Sequence, residues 1–363
     1  MLKKNKVCIT FLSNFSWSNQ NVLELICETA SFAKFKVNYF PKPLPIYKKR
    51  SDSELFCDLE GYNGFDLKIL PYFTKNIPLV NKLQKILLHT YIIDKIDTTK
   101  ENFLFYNNLD VVSIIRDNLR SSFSKLIYLC ADYSELDERV LSNAEIADKI
   151  IVCLPTMQKL VESKFPNKTF LWPVPTSNEY SNIKSISSHR ISTLLSQIPK
   201  PRVVYAGFKT NRVDENIYKS VANKMPEVSF VSFVSKNLTK NKNIYEAPWL
   251  EKHEMHSFLS ECQAGFMPYD LSNPHNLHCI PLKLFDFLAE GLPVVSSKLI
   301  NIQDFNSLIY FSETVEEYAF CLQKALHEDA KSELRKERKK RAQQHQTTNL
   351  THKLDELLAT LVI

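Results

Sequence analysis

"HCIPLKLFDFLAEGLPVVSS", residues 278–297, is the stretch on which the fold turns. Pro281 suits the first turn of a helix, where a missing N–H is no loss. Gly291 suits the position just past the helix end, where a left-handed backbone is wanted. Between them Leu284, Phe285 and Leu288 form one apolar stripe for packing on a sheet. Lys283 and Asp286, three residues apart, share the opposite face. "LPVVSS" reads as the buried parallel strand that follows, and "AGFMPY" (264–269) as the strand before.

The same alternation extends in both directions. "KVCITFL" (6–12), a helical pattern from Asn21 to about Phe35, and "KVNYF" (36–40) form a β-α-β opening, which implies a parallel sheet with a right-handed crossover. Further strands are expected at "NFLFYN" (102–107), "KLIYLC" (125–130), "KIIVCL" (149–154) and "KTFLWP" (168–173). Residues 174–200 are rich in Ser and Pro and suit a linker with a short helix. The pattern then restarts with "PRVVYAGF" (201–208), a helix with Asp214 near its start, "VSFVSFV" (228–234) and a helix around 251–261. At 363 residues, more than one core is the expectation. The fold class read from this is α/β, with two doubly wound Rossmann-like domains at 1–175 and 176–335. Residues 336–363 are expected to form a C-terminal helix packing back toward the first.

Composition narrows the function. Hydrophobic residues make up 44% and charged residues 24%, an ordinary globular balance. No apolar run approaches the length of a membrane helix, and Ser13, Asn14 and Ser16 break the apolar run of the N-terminus, so the expected location is cytoplasmic. Eight scattered cysteines without a C-x-x-C pair read as reduced thiols. His253, His256, His275, His278 and Cys279 are read as solvated side chains near a loop, and no metal site is expected. The net charge of +6 gathers in residues 1–50 and in "KSELRKERKKR" (331–341). No nucleic-acid-binding motif accompanies it, so nucleic acid is not an expected partner. The anionic inner face of a membrane and an ordinary solvated helix face both remain open.

In open parallel sheets, ligands bind outside the carboxyl ends of the strands. The end of the strand near Tyr269, the loop 270–280 and the start of the quoted helix therefore lie together. A helix amino end offers N–H groups and partial positive charge to phosphate. Lys283 there opposes the helix dipole unless an anion compensates, and Asp286 one turn on could accept hydrogen bonds from sugar hydroxyls. The plain alternative is a surface ion pair between Lys283 and Asp286. Gly207, at the end of "RVVYAGF", lets the backbone approach a ligand on the same edge. Neither G-x-G-x-x-G nor the P-loop pattern occurs, which weighs against dinucleotide oxidoreductases and P-loop NTPases.

"PLKLFDFLAEGLPVVSS" resembles the signature of GT-B glycosyltransferases. "YAGFKTNRVD" and "AGFMPYD" resemble the neighbouring segments of their nucleotide-binding domain, and the spacing matches over residues 200–300. "IYLCADYSEL" and "ADKIIVCLPTMQKL" are similar to bacterial exopolysaccharide, teichuronic-acid and xanthan glucuronosyltransferase enzymes. The resemblance implies two domains facing a cleft and a nucleotide-sugar donor, UDP-linked, with no further cofactor. Its donor set falls on Gly207, Lys209, Arg212, Tyr269, Pro281, Leu282, Lys283 and Asp286. Lys283, Gly207, Lys209 and Arg212 would meet the diphosphate, and Asp286 replaces the usual ribose-binding glutamate. Tyr269, His275 and Asn276 would line the sugar end. His278 stands where an upstream acid is usual.

Asp132 matches an aspartate of the resembling enzymes and is the candidate general base; the plain alternative is a helix cap. No D-x-D occurs, which favours metal-independent transfer. The implied acceptor is a saccharide or lipid-linked saccharide of bacterial surface polysaccharide synthesis. Residues 71–96 carry Leu79, Leu83, Ile86 and Leu87 at helical spacing beside Lys75, Lys82, Lys85 and Lys95. They suit either a membrane-lying helix or a core helix with a basic face. An epimerase or hydrolase of the same fold, and a non-catalytic nucleotide-sugar-binding protein, are the rival readings.

Overall fold

The computed structural model describes residues 6–13, 22–40, 44–45, 62–65, 68–69, 78–97, 99–107, 119–132, 135–176, 189–207, 212–233, 241–329 and 331–361. The chain divides into two compact units, Met1–Ser177 with Thr347–Ile363, and Asn178–Gln346.

The first unit is built on β1 (Val7–Leu12), α1 (Val22–Phe32), β2 (Lys36–Phe40), β3 (Leu44–Pro45), β4 (Tyr62–Gly64), β5 (Lys68–Ile69), α2 (Pro78–Lys95), β6 (Glu101–Tyr106), β7 (Lys125–Cys130), α3 (Glu138–Ile146), β8 (Lys149–Val152), α4 (Pro155–Glu162) and β9 (Thr169–Leu171). Its main sheet has the order β4-β2-β1-β6-β7-β8-β9, and every ladder in it is parallel. The residues of β1 are all buried, as a strand covered on both faces requires.

The second unit contains α5 (His189–Ser196), β10 (Arg202–Tyr205), α6 (Glu215–Lys224), β11 (Ser229–Ser232), β12 (Ile244–Glu246), α7 (Lys252–Leu259), β13 (Ala264–Met267), α8 (Pro274–Leu277), α9 (Leu282–Ala289), β14 (Val294–Ser297), β15 (Tyr310–Ser312), α10 (Val315–Leu326) and α11 (Glu333–Gln343). Its parallel sheet runs β12-β11-β10-β13-β14-β15. The order reverses between β10 and β13, and the carboxyl ends of strands at such a switch point are where sheets of this kind bind ligands. Tyr218 of α6 and Tyr318 of α10 close one face of the sheet over Phe230 and Phe266, with tilted and edge-to-face rings.

The quoted helix lies on the other face. A Cβ on Gly265 of β13 would strike the Phe287 ring at 2.7 Å, so that glycine lets α9 settle directly on the strand. Phe285, expected on the sheet side, packs instead on Phe305 and His345, with ring centroids 6.0 and 4.3 Å away. Gly291 has φ +72°. Its N–H donates to the Leu288 carbonyl at 2.9 Å, and the Leu292 N–H donates to the Phe287 carbonyl at 2.9 Å. These two bonds are the Schellman closure of a helix end. Gly291→Ala forces an L-residue into the left-handed region, at a cost of about 1–2 kcal/mol. A lowered unfolding midpoint of the second unit in denaturant titration checks this, and an unchanged midpoint refutes it.

The basic stretch 331–341 finds its explanation at the same corner. Arg335 Nε donates to the Gly291 carbonyl at 3.1 Å, and Arg338, 1% exposed, pairs with Glu328 and donates to the Leu308 carbonyl at 2.7 Å. Two of these basic residues thus tie α11 to the end of α9. This anchoring keeps 336–346 in the second unit, and the chain rejoins the first at Thr347 rather than at the expected 336. There α12 (Thr351–Ala359) packs on α1. Among the described residues, no helix is long and apolar enough to cross a membrane.

Candidate functional site

At the switch point of the second unit's sheet, β10 ends at Tyr205, β13 leads to Tyr269, and α9 begins at Leu282. Pro281 is the residue just before the helix rather than inside its first turn, and no side chain caps that end. Lys283 therefore sits among helix N–H groups whose partial charge is positive.

Lys283 does not pair with Asp286. Its Nζ lies 4.0 Å from the Tyr205 ring centroid and 5.3 Å from that of Tyr269, a cation held against two aromatic faces. Burial pushes its pKa down to about 7; the Arg212 charge adds to the fall, while Cys279 and Asp286 oppose it. Among the described residues no carboxylate forms an ion pair with Lys283, and an ammonium so placed is costly. Gly207 is small for the same reason: a Cβ there would overlap Lys283 Nζ and approach the Tyr205 ring at 2.7 Å. The space that glycine leaves is used by the lysine and the tyrosine.

Neighbouring groups fix this geometry. The buried Ser297 hydroxyl donates to the Tyr269 carbonyl at 2.9 Å and meets the Tyr318 hydroxyl at 2.7 Å. Tyr205 and Tyr269 are buried, which raises both phenol pKa values, and among the described residues the Tyr205 hydroxyl has no hydrogen-bond partner. The arrangement sets a lysine beside the uncapped amino end of α9, the kind of chemistry that suits a pyrophosphate.

No family model matches the chain. The Bacillus subtilis protein TuaH, named as a glycosyltransferase of teichuronic acid biosynthesis, is 25% identical over 207 residues. That match covers 49% of this chain and 51% of TuaH, so the chain spans about half the length of that relative. Among solved structures, the sucrose-phosphate synthase of Thermosynechococcus elongatus has 12% identity and a TM-score of 0.67, covering 98% of this chain and 99% of its own. Anabaena HepE, solved with UDP and glucose, has 10% identity and a TM-score of 0.69, covering 98% and 99%. The chain has the GT-B fold.

The α/β reading with two doubly wound sheets, and the resemblance to GT-B glycosyltransferases, are thus borne out. Within this GT-B chain the structure brings Gly207, Tyr269 and Lys283 together, and Arg212 acts on the charge of Lys283. Pro281 is buried, and Leu282 and Asp286 are half-buried on the first two turns of α9. Lys209 lies outside the described residues. Asn276, expected at the sugar end, is fully buried, whereas His275 beside it is exposed. The His278 carbonyl accepts from Asn301 at 2.6 Å. His256, read as solvated, is 5% exposed and meets Glu290 at 2.8 Å. Among the described residues, no group of three His, Cys, Asp or Glu could hold a metal ion.

Asp132 is in the first unit, exposed, two residues beyond the end of β7. It is not the cap of the following helix. That task belongs to Asp137, which accepts from the Val140 N–H at 2.8 Å. Asp132 lies near enough to Cys130 and Cys153 to help burial raise both thiol pKa values. Tyr205, Ser297 and Tyr318 were not singled out from sequence. Tyr205 carried one signal, an aromatic residue two positions before a strand-end glycine.

Proposed function

We propose that the chain is a glycosyltransferase. It moves a sugar from a nucleoside-diphosphate donor, UDP-linked, to a saccharide or lipid-linked saccharide of bacterial surface polysaccharide. The observation that carries this is Lys283, a half-buried lysine at the amino end of α9, held on two tyrosine rings and with no carboxylate ion-paired to it among the described residues. Lys283, Arg212 and the α9 amides neutralise the pyrophosphate, in the ground state and as the leaving group gains charge. Gly207 makes room for the Lys283 ammonium and the Tyr205 ring beside the diphosphate, and Lys209 is a further diphosphate contact in this reading. Tyr269, Pro281 and Leu282 wall the site, and Asp286 takes the ribose hydroxyls.

In an inverting transfer, Asp132 removes the acceptor hydroxyl proton. The freed oxygen forms the new bond to the anomeric carbon, and the nucleoside diphosphate leaves with the electron pair of the broken bond. The TuaH match supports the polysaccharide assignment, and the UDP and UDP-glucose complexes of HepE support the donor class. The lack of D-x-D supports metal-independent transfer. Thermal-shift screening against UDP-, GDP-, dTDP- and CMP-sugars, followed by turnover assays with and without acceptor and EDTA, tests the reading. Acceptor-dependent transfer that survives EDTA supports it. Acceptor-free conversion points to a hydrolase or epimerase, and binding without turnover to a non-catalytic protein.

A cytoplasmic location at the anionic inner face of the plasma membrane completes the proposal. On α2, Leu88 and Ile92 are buried while Leu83, Ile86 and Leu87 are 52%, 48% and 55% exposed. These three share one helix face, with the exposed Lys82 beside them. Such a face suits the interface of an anionic bilayer. The chain is expected to co-sediment with phosphatidylglycerol vesicles at low salt and to lose this with Leu83→Ser/Ile86→Ser/Leu87→Ser. Equal recovery on neutral vesicles, or no effect of the triple change, contradicts it.

A further inference from the structure

The loops that leave β10 and β13 run to opposite sides of the sheet, so nothing in the topology itself holds them at a fixed spacing. They are nevertheless stitched. The Asp214 N–H donates to the Pro268 carbonyl at 2.8 Å, and Val213 pairs with Tyr269 in an antiparallel bridge. The Asp270 N–H donates to the Arg212 carbonyl at 3.0 Å. Asn276, fully buried on α8, closes the stitch: its amide nitrogen donates to the Asp270 carbonyl at 2.9 Å and to the Arg212 carbonyl at 3.4 Å. One amide nitrogen carries two protons, which matches two acceptors on two different loops. Asn273 in turn fixes α8, its side chain accepting from the His275 N–H at 2.9 Å.

We propose that Asn276 is a positioning residue for the donor site, holding the Arg212 backbone so that the arginine charge stays within electrostatic reach of Lys283 and the two tyrosines. The inference rests on reading that site as a diphosphate pocket. Asn276 touches no substrate in this account; it acts through Arg212, whose charge is felt at Lys283, Tyr205 and Tyr269.

A structural role alone would weaken everything equally, whereas positioning leaves a specific mark. Arg212 helps depress the Lys283 pKa, against the pull of Cys279 and Asp286. If Asn276→Ala lets Arg212 drift, the pH midpoint of UDP-glucose binding moves upward, as it does in Arg212→Ala. Calorimetric titration of UDP-glucose into wild type, Asn276→Ala, Arg212→Ala, the double variant and Lys283→Ala decides the matter. Asn276→Ala is expected to weaken binding roughly tenfold, with the double variant no weaker than Arg212→Ala alone. Both single variants are expected to show the raised midpoint.

Wild-type affinity in Asn276→Ala, or fully additive losses with an unmoved midpoint, overturns the role. Should Asn276→Ala not fold, Asn273→Ala, which frees α8 at an exposed bond, carries the same expectations in smaller measure and the same refutation. If instead Lys283→Ala and Arg212→Ala bind as wild type, the pocket reading fails and the positioning role falls with it.

Discussion

Replacing Lys283 with alanine is expected to lower affinity for UDP-glucose by on the order of 100-fold, about 2.7 kcal/mol. The loss comes from removing the full positive charge of the lysine while the pyrophosphate still has to shed its water. The same side chain weakens the unliganded fold. Its pKa falls from an ordinary 10.5 to about 7, so between these values the unfolded chain holds a proton that the folded chain has released. Stability therefore rises with pH across that window, and the cost of the charged form is fully present below about 7. Lys283→Met, which keeps the length and drops the charge, is expected to raise the unfolding temperature at neutral pH while abolishing donor binding. Calorimetric binding and thermal unfolding on one preparation check both signs. A variant that binds the donor normally, or one less stable than wild type, contradicts the pocket.

The second large effect belongs to Asp132. With the capping role held by Asp137, Asp132→Asn has no helix end to destabilise, and its exposure leaves room for an acceptor. Turnover is expected to fall by about 10²–10⁴-fold, the range of general-base removal. Donor affinity should stay within about twofold, since the donor groups all lie in the second unit. Initial rates with saturating donor, beside calorimetric donor binding, separate the two quantities. Unchanged turnover removes Asp132 from the chemistry.

What the sequence disclosed follows from where each strand lies. The central strands β1, β6, β7, β10, β13 and β14 are largely buried, so they read as mostly apolar runs. The strands that escaped notice in the two main sheets, "YNG" in β4, "IYE" in β12 and "YFS" in β15, are all edge strands of three residues. Edges are short and partly polar, and they leave little pattern to detect. The helix that carries Lys283 was legible because its left-handed glycine and its buried following strand are both local features.

The site was legible only in part. Spacing placed Lys283 and Asp286 on one helix face, but whether they paired depended on Tyr205 of β10 and Tyr269 just beyond β13 reaching the lysine. Gly207 was noticed for ligand approach, whereas its small size also makes room for Lys283 Nζ. Asn276 was expected at the sugar end, and only the closing of the loops from β10 and β13 over it makes it a buried link between them. Such relations are set by tertiary packing, and no local period encodes them.

Proton uptake on donor binding tests the central claim most directly. At about pH 8 Lys283 is mostly neutral in the free protein, and a bound pyrophosphate must recharge it. Calorimetric titration of UDP-glucose in two buffers of different ionisation enthalpy should show uptake approaching one proton in wild type and none in Lys283→Met or Lys283→Arg. Tight binding with no proton taken up, or equal uptake in the variants, would contradict it.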